Sequence, residues 1–206
     1  MKVNFRSRRF WIGFVGALAL IVAGVFIVAT LSAPESSKAE VAECISREGG
    51  EDCIRLPTFT GQSLAGEELT LPDAFSSEFV LALIVFNRDQ QSRAEPWLPL
   101  VQEMDETYAN LTFYDLAIVS DIAPAARLMA LGGMRLLIDE ELHDQFVMPF
   151  MENREVLLEA LDIADFETMH IVIMNTAGEV LWHIEGEFTE EKGAALREQL
   201  AQVVAG

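Results

Sequence analysis

From Phe10 to Ala33 the chain runs for 24 residues without a charged side chain, FWIGFVGALALIVAGVFIVATLSA. At a helical rise of about 1.5 Å per residue that run reaches roughly 36 Å, enough for the ~30 Å hydrocarbon core of a bilayer. Four cations, Lys2, Arg6, Arg8 and Arg9, precede it, and no acidic residue occurs before Glu35. Such a one-sided basic flank holds an N-terminus in the cytoplasm, and Trp11 stands where an interfacial aromatic would. A cleaved signal has a shorter apolar core, about 7–15 residues, and small residues at −3 and −1. Cutting after Ala33 would place Leu31 at −3. The expectation is therefore a retained signal-anchor, with the lipid bilayer as partner of residues 10–33 and the remainder extracytoplasmic at the cell membrane.

Charge restricts what that remainder can do. Residues 34–206 hold 10 Lys and Arg against 33 Asp and Glu, a net of −23. A binder of nucleic acid needs basic faces to displace counterions from phosphates, so that class is excluded. Anionic head groups would repel such a body as well. A hydrophobic fraction of 51% is too high for disorder, although part of it lies in the anchor. The organisation read from these shifts is a basic segment 1–9, a span 10–33, a linker 34–55 that opens on the small, polar PESSKAEV, and one globular domain 56–206.

The chain has two cysteines, Cys44 and Cys53, nine positions apart. Outside the cytoplasm the simplest state of such a pair is a structural disulfide worth ~2–3 kcal/mol. A redox or metal pair would more usually have two residues between its sulfurs.

Within 56–206, Leu56–Thr60 reads as extended, 61–71 as turn-rich, and Phe79–Phe86 as a continuous apolar strand covered on both faces. Ser92–Tyr108 has helical spacing through Trp97, Leu98, Val101 and Met104, with Pro96 and Pro99 making its first turns irregular. A second buried strand spans Leu111–Val119 and a second helix Ala123–Leu131, before Gly132-Gly133. A short strand at Val147–Phe150 and a short helix at Glu155–Leu161 follow. His170–Met174, a turn at Asn175–Gly178 and Glu179–Ile184 form a hairpin, and Thr189 caps a last helix to about Val204. This order implies an α/β fold, a central mixed sheet flanked by helices.

On the segments LPTFTGQSLAGEELTLPDAF, VLALIVFNRDQQSRAEPWLPLVQEM and IVIMNTAGEVLWHIEGEFTEE, the chain resembles the membrane-anchored thioredoxin-like proteins of the bacterial envelope. The resemblance implies a thioredoxin-like fold over roughly 56–204, with a Cys-x-x-Cys at the start of the first helix and a cis-proline facing it. Anchored on Arg93-Ala94-Glu95, the four motif positions are Asp89-Gln90-Gln91-Ser92, and the proline position falls near Met169. Both thiols and the proline are replaced. The last 70 residues or so, with MRLLIDEELHDQF, EALDI and GEVLWHIEGEFTEE, also resemble the mitochondrial ATP synthase assembly factor family, a thioredoxin-like branch without the dithiol.

Other constellations carry less chemistry. Asp139, Glu140, His143 and Asp144 are read as a solvated acidic face and not a metal site. His170 and His183 sit on opposite hairpin arms at unrelated offsets, and nothing in the spacing places His143 beside them, so no metal is expected. Ser92 is read as a helix N-cap, because no Gly-x-Ser-x-Gly elbow accompanies it. Met148 and Met151 around Pro149-Phe150 could present an apolar lip. No catalytic residue and no cofactor are expected. The function expected is a redox-inactive binding module, an assembly or chaperone-like factor acting on a protein partner in or near the membrane. The alternative is an extracytoplasmic thiol-disulfide oxidoreductase of unusual design using Cys44 and Cys53. Asp89, Ser92, Trp97 and Met169 would form the vestigial active-site surface, with Trp97 either a docking anchor or a core residue.

The basic flank and the uncharged run together predict topology: a C-terminal reporter that works only in the cytoplasm stays silent on the full-length chain, and an active reporter overturns the orientation.

Overall fold

The computed structural model describes residues 43–47 and 52–205, without the side chain of Ala205. The 10–33 run lies outside them, and among the described residues no helix is long and apolar enough to cross a membrane. Strands β1 (Phe59–Ser63), β2 (Glu68–Leu71), β3 (Phe79–Val85), β4 (Leu111–Ala117), β5 (Val119–Ser120), β6 (Phe146–Met151), β7 (His170–Asn175) and β8 (Val180–Glu185) build one mixed sheet. Its order is β2-β1-β6-β4-β3-β7-β8, with β5 pairing the far end of β6. Pairs β3/β4 and β4/β6 are parallel, whereas β1/β2, β1/β6, β3/β7 and β7/β8 are antiparallel. Helices α1 (Arg88–Ala94), α2 (Leu98–Thr107), α3 (Pro124–Arg135), α4 (Glu155–Leu161) and α5 (Glu190–Ala205) flank the sheet.

The continuous apolar run does become the central strand. From Val80 to Val85 every β3 residue is buried, because alternate side chains enter two separate cores. Leu81, Leu83 and Val85 meet Trp97 and Val101 of the α1–α2 segment and Leu196 and Leu200 of α5. Val80, Ala82 and Ile84 meet Leu157 and Leu161 of α4 and the stretch from Ile54 to Phe75. Period two along the strand, with a helical layer on each side, is what forces this division.

Several boundaries differ from those read in the sequence. Residues 61–71 are not a loop but most of a hairpin, closed at Gly66, whose φ of 101° a side chain would rarely adopt. The first helix starts at Arg88, four residues before Ser92, because Asn87 is the residue with extended φ and ψ, and its side chain accepts from Gln90 N at 2.9 Å. Ser92 is thus an exposed residue inside α1 and not its cap. Pro96 and Pro99 break what would be one long helix into α1, a 3₁₀ turn at Glu95–Trp97, and α2. α3 continues through Gly132 and Gly133 to Arg135, since glycine weakens a helix by ~1 kcal/mol without ending it.

Trp97 decides its own two readings. It is fully buried, its ring stands edge-on to Phe188 with centroids 5.1 Å apart, and its indole N–H donates to Gly186 O at 3.3 Å. The docking-anchor expectation is corrected: the 3₁₀ turn aims the indole into the core, not out of it. Trp97→Ala is expected to cost about 3–5 kcal/mol in denaturant unfolding. Conversely, a Cβ at Gly132 would meet nothing within 4 Å, so Gly132→Ala is expected to gain ~0.5–1 kcal/mol by the same measurement.

Candidate functional site

The carboxyl ends of β3 and β4 lie side by side, Val85 opposite Ala117, and the chain leaves β3 directly into α1. Crevices at such strand ends are where open α/β sheets place ligands. Arg154, just before α4, closes the crevice from one side. Its Nη1 donates to Phe86 O at 3.1 Å and Ile118 O at 3.4 Å, while its guanidinium lies 4.3 Å from the Phe166 ring centroid.

At the start of α1 the four motif positions divide by burial. Asp89 and Ser92 face solvent. Gln90 is buried, with its carbonyl accepting from Phe86 N at 2.7 Å and its amide donating to Phe166 O at 2.7 Å. It ties the end of β3 to the loop before β7, a fixed polar bridge in the region where the resemblance implies a dithiol. Met169, at the expected proline position, is buried. The one cis peptide bond among the described residues is Leu71-Pro72, at the end of β2. Asp89 and Ser92 remain a surface, while Trp97 and Met169 belong to the core beneath it. A hollow of about 330 Å³ between Gln90, Arg93, Thr168, Met169 and Glu187 marks this side of α1.

The other side of α1 is larger and more apolar. Val85, Ala117 and Met148 form the floor of a groove of about 610 Å³, with Asn87, Arg88 and Gln91 of the α1 segment on one wall and Met129, Met134 and Leu137 of the α3 segment on the other. Four of the five large hydrophobic side chains exposed among the described residues belong to α3 and the two residues after it: Leu128, Met129, Leu136 and Leu137, at 64–88% exposure. α3 buries only Leu131. The expected exposed apolar lip at Met148 and Met151 is corrected: β6 turns Met148, which is buried, into the groove floor and Met151 to the opposite side of the sheet.

Two titratable sites flank α1. Beneath the groove, Asp115 of β4 is 3% exposed, and its Oδ2 accepts from Gln91 Nε2 at 2.8 Å. Burial pushes its carboxyl up to about 7, with the Gln91 hydrogen bond opposing. Asp115 Oδ1 and Gln91 Oε1 are buried and have no hydrogen-bond partner among the described residues. On the opposite side, His170 Nδ1 and His183 Nε2 lie 2.8 Å apart. Burial and the neighbouring His183 hold the His170 imidazole down at about 4, against the pull of Asp165, and burial lowers His183 too, against Glu185. The spacing hid this pair. The β7/β8 register puts His183 opposite Val172, so His170 and His183 share a face as diagonal neighbours. No group of three metal-ligating side chains occurs among the described residues.

Cys44 and Cys53 are bonded, with Cα atoms 5.7 Å apart. Their loop attaches to the first residue of β8, through Ile45 N to Val180 O and Val180 N to Ile54 O. Gln90 and Arg93 of α1 face the other end of that hairpin, near Met169 and Gly186, about 17 Å along the strand at ~3.3 Å per residue.

No protein-family model matches the chain, and no curated protein matches its sequence. Among solved structures it is similar to a protein of Aquifex aeolicus VF5 assigned to electron transfer, at 11% identity over 74% of this chain and 98% of that one, TM-score 0.53. A second Aquifex aeolicus VF5 protein, assigned to electron transport, gives 12% identity, 74% and 98% coverage and a TM-score of 0.51. A thiol:disulfide interchange protein from Bacteroides sp. matches at 20% identity over 75% and 90%, with a TM-score of 0.48. At 11–12% identity the likeness to the two Aquifex aeolicus proteins shows the thioredoxin-like fold alone and leaves the chemistry open.

The buried acid yields a pH test. Folded Asp115 keeps its proton to about pH 7, while an unfolded aspartate loses it near 4, so its contribution to stability falls as pH rises from about 4 to 7. Asp115→Asn is therefore expected to raise the melting temperature at pH 7.5 and to lose most of that gain at pH 4.5. An equal gain at both values would contradict the assignment.

Proposed function

We propose that this protein is a redox-inactive thioredoxin-like module that works by binding an apolar segment of a protein partner, as an assembly or chaperone-like factor for an envelope or membrane complex. The observation that carries the reading is the groove beside α1. Its open wall is the end of α3 and the two residues after it, where Met129, Leu136 and Leu137 stay in water with Leu128 exposed beside them, an arrangement soluble surfaces avoid unless something covers them. The substitutions at Asp89 and Ser92 support the redox-silent part, because the helix start that would activate a thiol holds none. The disulfide supports it also: Cys44 and Cys53 lie at the far end of β8, where no helix begins among the described residues. The likeness of the last 70 residues to the ATP synthase assembly factor family agrees with a binding role but names no client. The signal-anchor would keep the groove within reach of membrane partners. The oxidoreductase alternative rests on the same two cysteines and would require their bond to turn over.

Leu136→Glu, at a side chain that is 88% exposed, should leave the melting temperature unchanged and abolish retention of the partner in pull-downs from solubilised membranes. Full retention would overturn the groove reading. Purified protein should not accelerate insulin reduction, and an acceleration lost in Cys44→Ser would establish the alternative instead.

A further inference from the structure

The groove is apolar along its length but not at its inner end. Residues alternate across β4, so Phe113, Asp115 and Ala117 point to one face of the sheet. Ala117 is part of the groove floor and Asp115 lies one step deeper, level with Leu83 of β3 and Phe146 of β6. Gln91 connects the two, since it lines the groove wall and donates to Asp115. Beyond that bond, one oxygen of each side chain is buried without a donor. Buried acceptors of this kind are costly, and here two occur together, one on Gln91 in the groove wall and one on the Asp115 carboxyl directly behind it. Above about pH 7, where Asp115 has lost its proton, the pair lacks a donor, and the carboxylate favours a cationic one.

Nothing nearby supplies it. Arg127 pairs with Asp121 and lies over Phe150, and Arg135 donates to Leu64 O. Arg88 stands at the exposed groove wall. The nearest acid on α2, Asp105, is engaged by Phe113 N at 2.7 Å and by Gln145 Nε2 at 3.2 Å. Asp115 N itself donates to Gln145 O.

We infer that the groove recognises a lysine side chain carried in an apolar client segment, its stem lying along Met134, Met148 and Ala117 and its ammonium reaching Asp115 Oδ1 and Gln91 Oε1. A four-carbon stem ending in three donors matches a channel of this character, apolar along its sides and acceptor-rich at its end. Above about pH 7 the desolvation of the carboxylate is already met on folding, so the ligand bears only that of its own ammonium. Below that pH, binding must also displace the Asp115 proton to solvent. The inference rests on the groove being the client site.

The test uses the full-length protein and fluorescein-labelled peptides of alternating Leu and Gly around one central lysine, with norleucine and glutamate versions as probes. At pH 8 the lysine peptide should bind at least ten-fold more tightly than the norleucine peptide, with glutamate weakest. The preference should shrink at pH 5.5, where Asp115 is protonated, and vanish in Asp115→Asn. Gln91→Leu, which leaves the carboxyl in place, should reduce it. Equal binding of the lysine and norleucine peptides, or a preference unchanged in Asp115→Asn, overturns the lysine inference while leaving the groove reading intact. Failure of every peptide to bind wild type, with Leu136→Glu still retaining its membrane partner, overturns both.

Discussion

Strand β3 has no solvent-facing residue after Phe79, and the rest of the domain is arranged to meet that condition. A strand buried on both faces needs a helical layer on each side and a hydrogen-bonded neighbour at each edge. β4 supplies one edge in parallel and β7 the other in antiparallel. The parallel neighbour obliges the chain to cross back over the sheet, which the α1–α2 segment does, and so α1 starts at the carboxyl end of β3. Both hollows beside α1, and both titratable sites flanking it, follow from that placement.

The two flanks differ in what lies over them. Toward β7 and β8, the Gln90 bridge, the Trp97 indole and the His170–His183 pair fill the space and leave only a smaller hollow, with His170 Nε2 the one atom of these side chains buried without a partner. Toward β4 and β6, α3 lies across the sheet with a single buried anchor, Leu131, and the space beneath it stays open. A helix with one fully buried side chain, the partly buried Ala130 and Met134 beside it and two adjacent glycines has less packing to fix it than its neighbours, which suits a wall that must admit a ligand. The electrostatics are likewise divided. In a body of net charge −23, residues 122–138 include no acid at all and carry two arginines. An apolar partner can therefore cover α3 without having to strip water from carboxylates there.

The paired histidines and Asp115 act oppositely on stability. His170, held near 4 by burial, favours the folded state increasingly as pH rises toward 6.5, whereas Asp115 favours it less across the same range. The crevice at the strand ends is thus bordered by two strained titrations whose pH dependences offset each other.

The sequence by itself determined the layer order and the identity of the central strand, because an apolar run between turn residues leaves few ways to be buried. It also showed that the dithiol is missing, since that depends on residue type at known spacing. It pointed to Cys44 and Cys53 as partners because there are no others. The breaks at Pro96 and Pro99 were legible for the same local reason. Tertiary structure alone decided the rest. Which way Trp97 points depends on how tightly the 3₁₀ turn winds, and that is set by Phe188 and Gly186, some 90 residues away. Asn87, not Ser92, became the cap because β3 ends at Val85, a limit fixed by its pairing with β4. The meeting of His170 with His183 depends on strand register, and that of Gln91 with Asp115 on a helix laid over a particular rung of the sheet. Contacts of this kind join residues that no local pattern relates, and only the folded sheet brings them within hydrogen-bond distance.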